Sequence, residues 1–223
     1  MSVKFRLLFS KGEELKYISH LDLLRLFFRA FRRAGINLKF KGKFNPQPKI
    51  SYALALPLGS TSSGEYLEVE LEEDMDTGQL KNRLSRQFPP GIDLREVKEV
   101  AGKGPSLTSR VKSVHYRVKI EVSPETEPRK MSEIIENILK KKELWFTRKK
   151  KKTKKDINLR PFINNMELVS WEGQKGEIKM ELKATPRGSV KPVEIMEIIE
   201  REALIDLQGR NIHRELIELE LEE

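Results

Sequence analysis

The sequence predicts an α+β protein, in which one strand–helix–strand–strand–helix–strand order is used twice in succession. Three observations carry this. Apolar residues alternate with polar ones over strand-length runs at Val3–Ser10, Gly64–Glu72, Val114–Val122 and Glu177–Ala184. Four other segments space their apolar residues as one face of a helix. Between the halves lies AGKGPSLTS, Ala101–Ser109, whose glycines, proline and serines suit a linker.

The elements follow in order. VKFRLLFS opens the first half as a strand. Ser19 can cap the next helix, with Asp22 three residues on. Leu23, Leu24, Phe27, Phe28, Phe31 and Ala34 recur at helical spacing, Gly35 ends the pattern, and Arg25, Arg29, Arg32 and Arg33 fall on the other side. Strand-like pieces at Ile36–Lys41 and Ile50–Leu56 flank the turn-rich GKFNPQPK. Gly64–Glu72 is a half-buried strand, Asp76–Phe88 a helix closed by Pro89-Pro90-Gly91, and Ile92–Val100 a strand.

The second half repeats the order. Val114–Val122 is a strand and Pro128–Lys142 a helix with Met131, Ile134, Ile135, Ile138 and Leu139 inward. Leu144–Arg148 is strand-like and Ile157–Ser170 extended. Glu177–Ala184 follows a turn at Gly173 and Gly176. Ser189 can cap a helix with Pro192 in its first turn, and Ile212–Leu221 is the last strand. Each half matches the split-βαβ, ferredoxin-like pattern, a four-stranded antiparallel sheet with two helices on one face. The expected domains are 1–103 and 110–223.

Charge points to the partner. The chain has 223 residues, a net charge of +9 and a pI near 9.6. Lys140–Lys155, KKKELWFTRKKKKTKK, holds ten cations against Glu143 alone, which equals the whole excess. From Leu23 to Gly64 there are eight cations and no acid, whereas the end, RELIELELEE, is acidic. A surface built for solubility alone mixes the signs; this segregation favours a basic face for a polyanion, although a lysine run is also what a solvated loop looks like. The absence of cysteine excludes disulfides, thiolate zinc sites, a catalytic thiol and an iron–sulfur cluster held by this chain. No apolar run reaches the roughly 20 residues of a membrane span, and Lys4 and Arg6 interrupt any signal-peptide core, so the expectation is a cytoplasmic protein without membrane contact. No phosphate-loop, dinucleotide or metal motif is present, and neither cofactor nor metal is expected.

Three motifs could carry chemistry. In YISHLD, His20 beside Tyr17 and Asp22 could act as a general base, or Ser19 and His20 could simply be the cap and first turn. In GKFNPQPK, the X-Pro steps stiffen the backbone and present Lys41, Lys43, Phe44, Asn45 and Lys49; lysines suit phosphates and a ring suits an unstacked base, unless Phe44 plugs the core. In the lysine run, Trp145 and Phe146 point to opposite faces of a strand, leaving one free to stack. Leu144–Arg148 and Ile157–Arg160 could pair as a finger with Lys149, Lys150, Lys151, Lys152, Lys154 and Lys155 at its tip. Arg148 and Arg160 complete that cationic set. His115 and His213 are too far apart in sequence to argue a site.

YISHLDLLRLFFRAFRRAG (17–35), GKFNPQPKIS (42–51), LPLG (56–59) with Glu65-Tyr66, PPG (89–91), NLRP (158–161) and GSVKP (188–192) together resemble the radical-SAM-associated family of domains of unknown function. Asn158 and Lys191 stand where that family usually has Asp and Arg. The resemblance implies a domain encoded beside, or fused to, a radical SAM enzyme with a cobalamin-type domain, often near genes of RNA processing and ribosome assembly. Without cysteine, the chain is at most such an enzyme's partner. The leading reading is a non-catalytic RNA-binding accessory protein that presents ribosomal or transfer RNA to a separately encoded radical SAM modifying enzyme. The alternatives are a metal-independent endoribonuclease of the tandem ferredoxin-like kind, using His20 with Tyr17 or a lysine, and an adaptor docking an acidic enzyme surface.

Overall fold

The structure is a computed structural model that describes residues 3–102, 104–150, 153–185 and 188–220. Among these residues it is a mixed α/β architecture with four α-helices and antiparallel strand pairing. The chain divides into two compact units, Met1–Val111 with Glu220–Glu223, and Lys112–Leu219.

The first unit runs β1 (Val3–Lys11), α1 (His20–Arg33), β2 (Phe40–Lys41), β3 (Gln47–Pro48), β4 (Ile50–Tyr52), β5 (Ser60–Leu71), α2 (Thr77–Ser85) and β6 (Ile92–Val100). Its sheet order is β6-β1-β5-β4, all antiparallel. Alternation puts Phe5, Leu7 and Phe9 of β1 on one face, opposite Val69, Leu67 and Glu65 of β5. Leu23, Phe27, Ala30 and Phe31 of α1, with Leu80 and Leu84 of α2, join the same core. The segment expected as a strand at Ile36–Lys41 is mostly a connection, with an isolated bridge from Leu38 to Leu71 before β2. Similarly, β4 stops at Tyr52, because Pro57 and Gly59 lead into a turn closed by Ser60 N donating to Pro57 O.

The second unit runs β7 (Val111–Val122), α3 (Pro128–Lys140), β8 (Trp145–Lys150), β9 (Thr153–Asn158), β10 (Ile163–Glu172), β11 (Lys175–Thr185), β12 (Gly188–Ser189), α4 (Pro192–Ala203) and β13 (Leu207–Leu219). The sheet order is β10-β11-β7-β13. Strands β8 and β9 form a separate hairpin. Val114, Tyr116, Val118, Ile120 and Val122 are buried on β7, as are Met131, Ile135 and Ile138 on α3 and Ile195, Ile198 and Ile199 on α4. Arg214 is also buried, at 1% exposure, where its guanidinium donates to the Tyr116 hydroxyl at 2.9 and 3.1 Å. Ser189, expected to cap α4, lies in β12 instead. The cap position is Lys191, and Glu194 Oε2 accepts from its backbone N–H at 2.9 Å. Among the described residues, no helix is long and apolar enough to cross a membrane.

Candidate nucleic-acid interface

Helix α1 carries the first cationic surface. Ser19 Oγ accepts from the backbone N–H of Asp22 at 3.1 Å, satisfying one of the first turn's free donors. The helix ends at Gly35, whose φ of 63° is left-handed. There Ile36 N donates to Phe31 O and Gly35 N to Arg32 O, both at 3.0 Å. Arg83 of α2 closes this end further, donating to the carbonyls of Ala34 and Gly35 at 2.5 to 3.2 Å. With Leu23, Phe27, Ala30 and Phe31 inward, Arg25, Arg29, Arg32 and Arg33 are all exposed. Arg25 pairs with Asp22 at 2.9 Å, and Arg33 donates to Gln87 O at 2.6 Å. Arg32 lies over the Phe28 ring, 5.9 Å from its centroid. Asp22 also interacts electrostatically with Arg29, and among the described residues no carboxylate forms an ion pair with Arg32.

GKFNPQPK is a short hairpin, with Phe40 opposite Pro48 and Lys41 opposite Gln47. The backbone fixes its base: Lys39 N donates to Glu70 O at 2.8 Å, and Lys49 N to Lys39 O at 2.7 Å. Gly42 has φ 94°, and a Cβ there would sit 3.2 Å from Asn45 O, so the turn requires glycine. Asn45 Oδ1 accepts from Gln47 Nε2 at 3.1 Å, which ties Asn45 into the turn. Phe44 is fully exposed and plugs no core. Lys41 and Lys43 are exposed beside it without a carboxylate partner among the described residues. Lys49 departs from expectation: its ammonium sits 2.6 Å from Glu70, and that neutralisation removes it from the free cations.

In the second unit, β8 and β9 pair in register from Trp145–Asn158 to Lys150–Thr153. The finger is longer than expected, so Lys149, Lys154 and Lys155 lie within the ladder and not at its tip. Lys151 and Lys152 lie outside the described residues, and of Lys150 only the backbone is described. Trp145 is 54% exposed and its indole N–H donates to Glu143 at 3.0 Å. Two expected phosphate contacts are structural. Arg148 donates to both Glu194 oxygens at 2.6 and 2.8 Å and to the carbonyl of Ser189, anchoring the finger to the start of α4. Those hydrogen bonds hold its guanidinium charged more firmly than usual, against a smaller opposing effect of burial. Arg160 donates to the Leu139 carbonyl at 3.1 and 2.8 Å and to Ile163 O at 2.7 Å, closing the α3 C-terminus.

YISHLD does not assemble as a proton-transfer set. Asp22 is held by Ser19 at 2.7 Å and by Arg25. These bonds keep its carboxyl below the usual range. The His20 ring turns edge-on to Tyr52, 4.9 Å between centroids. Burial lowers the imidazole pKa, with Glu65 pulling the other way, and raises that of the Tyr52 phenol. Tyr17 is 76% exposed, near Lys16 and Gly59. Among the described residues, no group of three His, Asp or Glu could hold a metal ion.

Two aromatics escaped the sequence reading. Phe28 sits at core spacing, and Phe40 reads as an ordinary strand residue. Their rings meet edge-on at 6.2 Å and 85°, on the surface between α1 and β2, with Phe40 43% exposed. Nothing in the apolar pattern distinguishes them from core residues. The only signal was the arginine-rich neighbourhood.

A family model described as an uncharacterized protein conserved in bacteria, DUF2344, matches residues 4–192. No curated protein matches the chain. Among solved structures, the chain is similar to one in a Cbf5–Nop10–Gar1 complex, at 8% identity and a TM-score of 0.56, covering 94% of this chain and 47% of that one. It is also similar to a chain of an H/ACA RNP bound to a substrate RNA containing 2'-deoxyuridine, at 9% identity and a TM-score of 0.49, covering 93% and 46%. The chain thus spans about half the length of these matches. The first likeness shows a shared fold. Neither description mentions radical SAM chemistry.

Proposed function

We propose that this chain, which belongs to the bacterial family DUF2344, is a non-catalytic RNA-binding accessory protein. Its two units are read as tandem ferredoxin-like modules, over 1–103 and 110–223, that hold RNA by its phosphates. The observation that carries this is the outer surface of α1 and the adjoining hairpin. Arg32, Lys41 and Lys43 project there without an ion pair to a carboxylate among the described residues, beside Arg29, on which Asp22 acts electrostatically. Isolated exposed cations cost the fold little, but gathering them on one helix and hairpin creates a field that attracts a polyanion. The fully exposed ring of Phe44 sits among them, and cations interleaved with aromatics suit RNA better than a smooth acidic protein surface. In the second unit, Lys149 and Lys154 share one face of the β8–β9 ribbon as a separate patch of the same sign, while Lys155, opposite Arg148, lies on the other face. The enzyme served is the radical SAM partner that the sequence resemblance implies.

A filter-binding titration of the full chain with RNA over a salt series tests the reading. Expected is measurable affinity at about 50 mM salt that falls steeply as salt rises. Absence of affinity there, or a salt slope near zero, overturns it. Co-purification of a radical SAM protein that survives nuclease would instead favour the adaptor.

A further inference from the structure

Beside α1 lies a cleft of about 330 Å³ lined by Phe28, Arg32, Asn37, Leu38, Phe40 and Glu72. We propose that it is a nucleobase pocket, taking one unpaired base of the RNA whose phosphates lie on the neighbouring cations. The inference rests on the RNA-binding reading and adds to it what kind of RNA the surface selects.

Size and walls argue for a base. The volume is at the small end for a ligand site, suited to one planar ring system and not to a helix groove. Its flat surfaces are the exposed ring of Phe40 and the guanidinium of Arg32, already seated over Phe28. An unstacked base lies against such planes, whereas a base within a duplex has no free face to offer. The hairpin that carries Phe40 runs directly into Lys41 and Lys43, so a strand with one base in the cleft has cations beside its phosphates.

The rim argues for which base. Glu72 and Asn37 are exposed at the mouth, held together by the Glu72 N–H donating to Asn37 O at 3.1 Å. A carboxylate accepts hydrogen bonds and donates none. It favours a base edge with an amino group, as in guanine, cytosine or adenine. Uracil offers a single imide N–H flanked by two carbonyl oxygens that repel a carboxylate, and is disfavoured.

Fluorescence anisotropy with the full chain tests this, using three labelled probes: a nine-residue oligouridylate, the same strand with one central guanosine, and a blunt RNA duplex. The guanosine strand is expected to bind tightest. Phe40→Ala is expected to weaken single-strand binding about five-fold or more, without changing the salt slope. Glu72→Gln keeps the shape and leaves the fold intact, and is expected to narrow the gap between the guanosine and uridine strands. Strong, salt-dependent binding that is blind to strandedness, to the central base and to both substitutions overturns the pocket and leaves RNA binding standing. Binding of no probe at low salt overturns both.

Discussion

Lys149 and Lys154 stand directly opposite each other in the β8–β9 ladder, two ammonium groups on one face of a two-stranded hairpin. Like charges in that relationship weaken a hairpin, and a two-stranded ribbon has little stability in hand. The base is secured by Arg148 on Glu194 and by Asn158, whose side-chain oxygen accepts from the N–H groups of Leu144 and Arg160 at 2.9 and 3.1 Å. The outer part therefore carries a repulsion that a bound polyanion would relieve.

Replacing one of the pair separates stability from binding. Lys154→Glu puts opposite charges face to face and should stabilise the hairpin by about 0.2–1 kcal/mol. Hydrogen exchange of the β8 and β9 amides should slow, while RNA affinity falls. Unchanged RNA affinity would mean that this face does not touch RNA.

Arg148 should behave in the opposite way. Arg148→Ala leaves Glu194 without its bidentate partner at the start of α4, an expected loss of about 1–3 kcal/mol in urea unfolding. The salt slope of RNA binding should not change, because this guanidinium is already committed. A lower slope with normal stability would return Arg148 to the binding set.

The sequence showed the order of elements well, because alternation and helical spacing reflect burial directly: Phe5, Leu7 and Phe9, or Leu23, Phe27 and Phe31, can bury only one way. It overextended the pieces around GKFNPQPK, where β2 and β3 hold two residues each and prolines limit the ladder. Residue type announced the cations, but not their partners. Lys49, Arg148 and Arg160 read like Lys43 and Arg29, and only tertiary structure brings Glu70, Glu194 and the Leu139 carbonyl to them. The Phe28–Phe40 wall was hidden for the same reason, since an aromatic at core spacing gives no sign that its outer face stays open.

Gly176 shows how closely one part of the second unit is packed. A Cβ at this position would lie 2.7 Å from the Trp171 ring and 3.2 Å from Ile120. Gly176→Ala should cost about 1–3 kcal/mol through this overpacking and shift Trp171 fluorescence. An unchanged unfolding midpoint and spectrum would contradict the contact.

His20 supplies a pH signature. Burial holds its pKa below the ordinary 6.5, so the unfolded chain takes up the proton more readily than the folded one. The associated stability is present above pH 6.5 and is lost as the pH falls from there through the lower pKa of the folded state. Unfolding free energy of the wild type relative to His20→Gln should therefore decline from about pH 7.5 to about pH 5.5. A difference independent of pH would contradict the burial of the imidazole.

The most direct measurement of the central claim is the salt dependence of single-stranded RNA affinity, compared between the wild type and the double variant Arg29→Ala/Arg32→Ala. Each phosphate contact on a single strand contributes about 0.7 to the slope of log affinity against log salt. If α1 grips the backbone through Arg29 while Arg32 stacks on a base, the double variant should flatten the slope by about 0.7, with the fold intact. A double variant with the wild-type slope would show that the arginine face of α1 does not meet RNA.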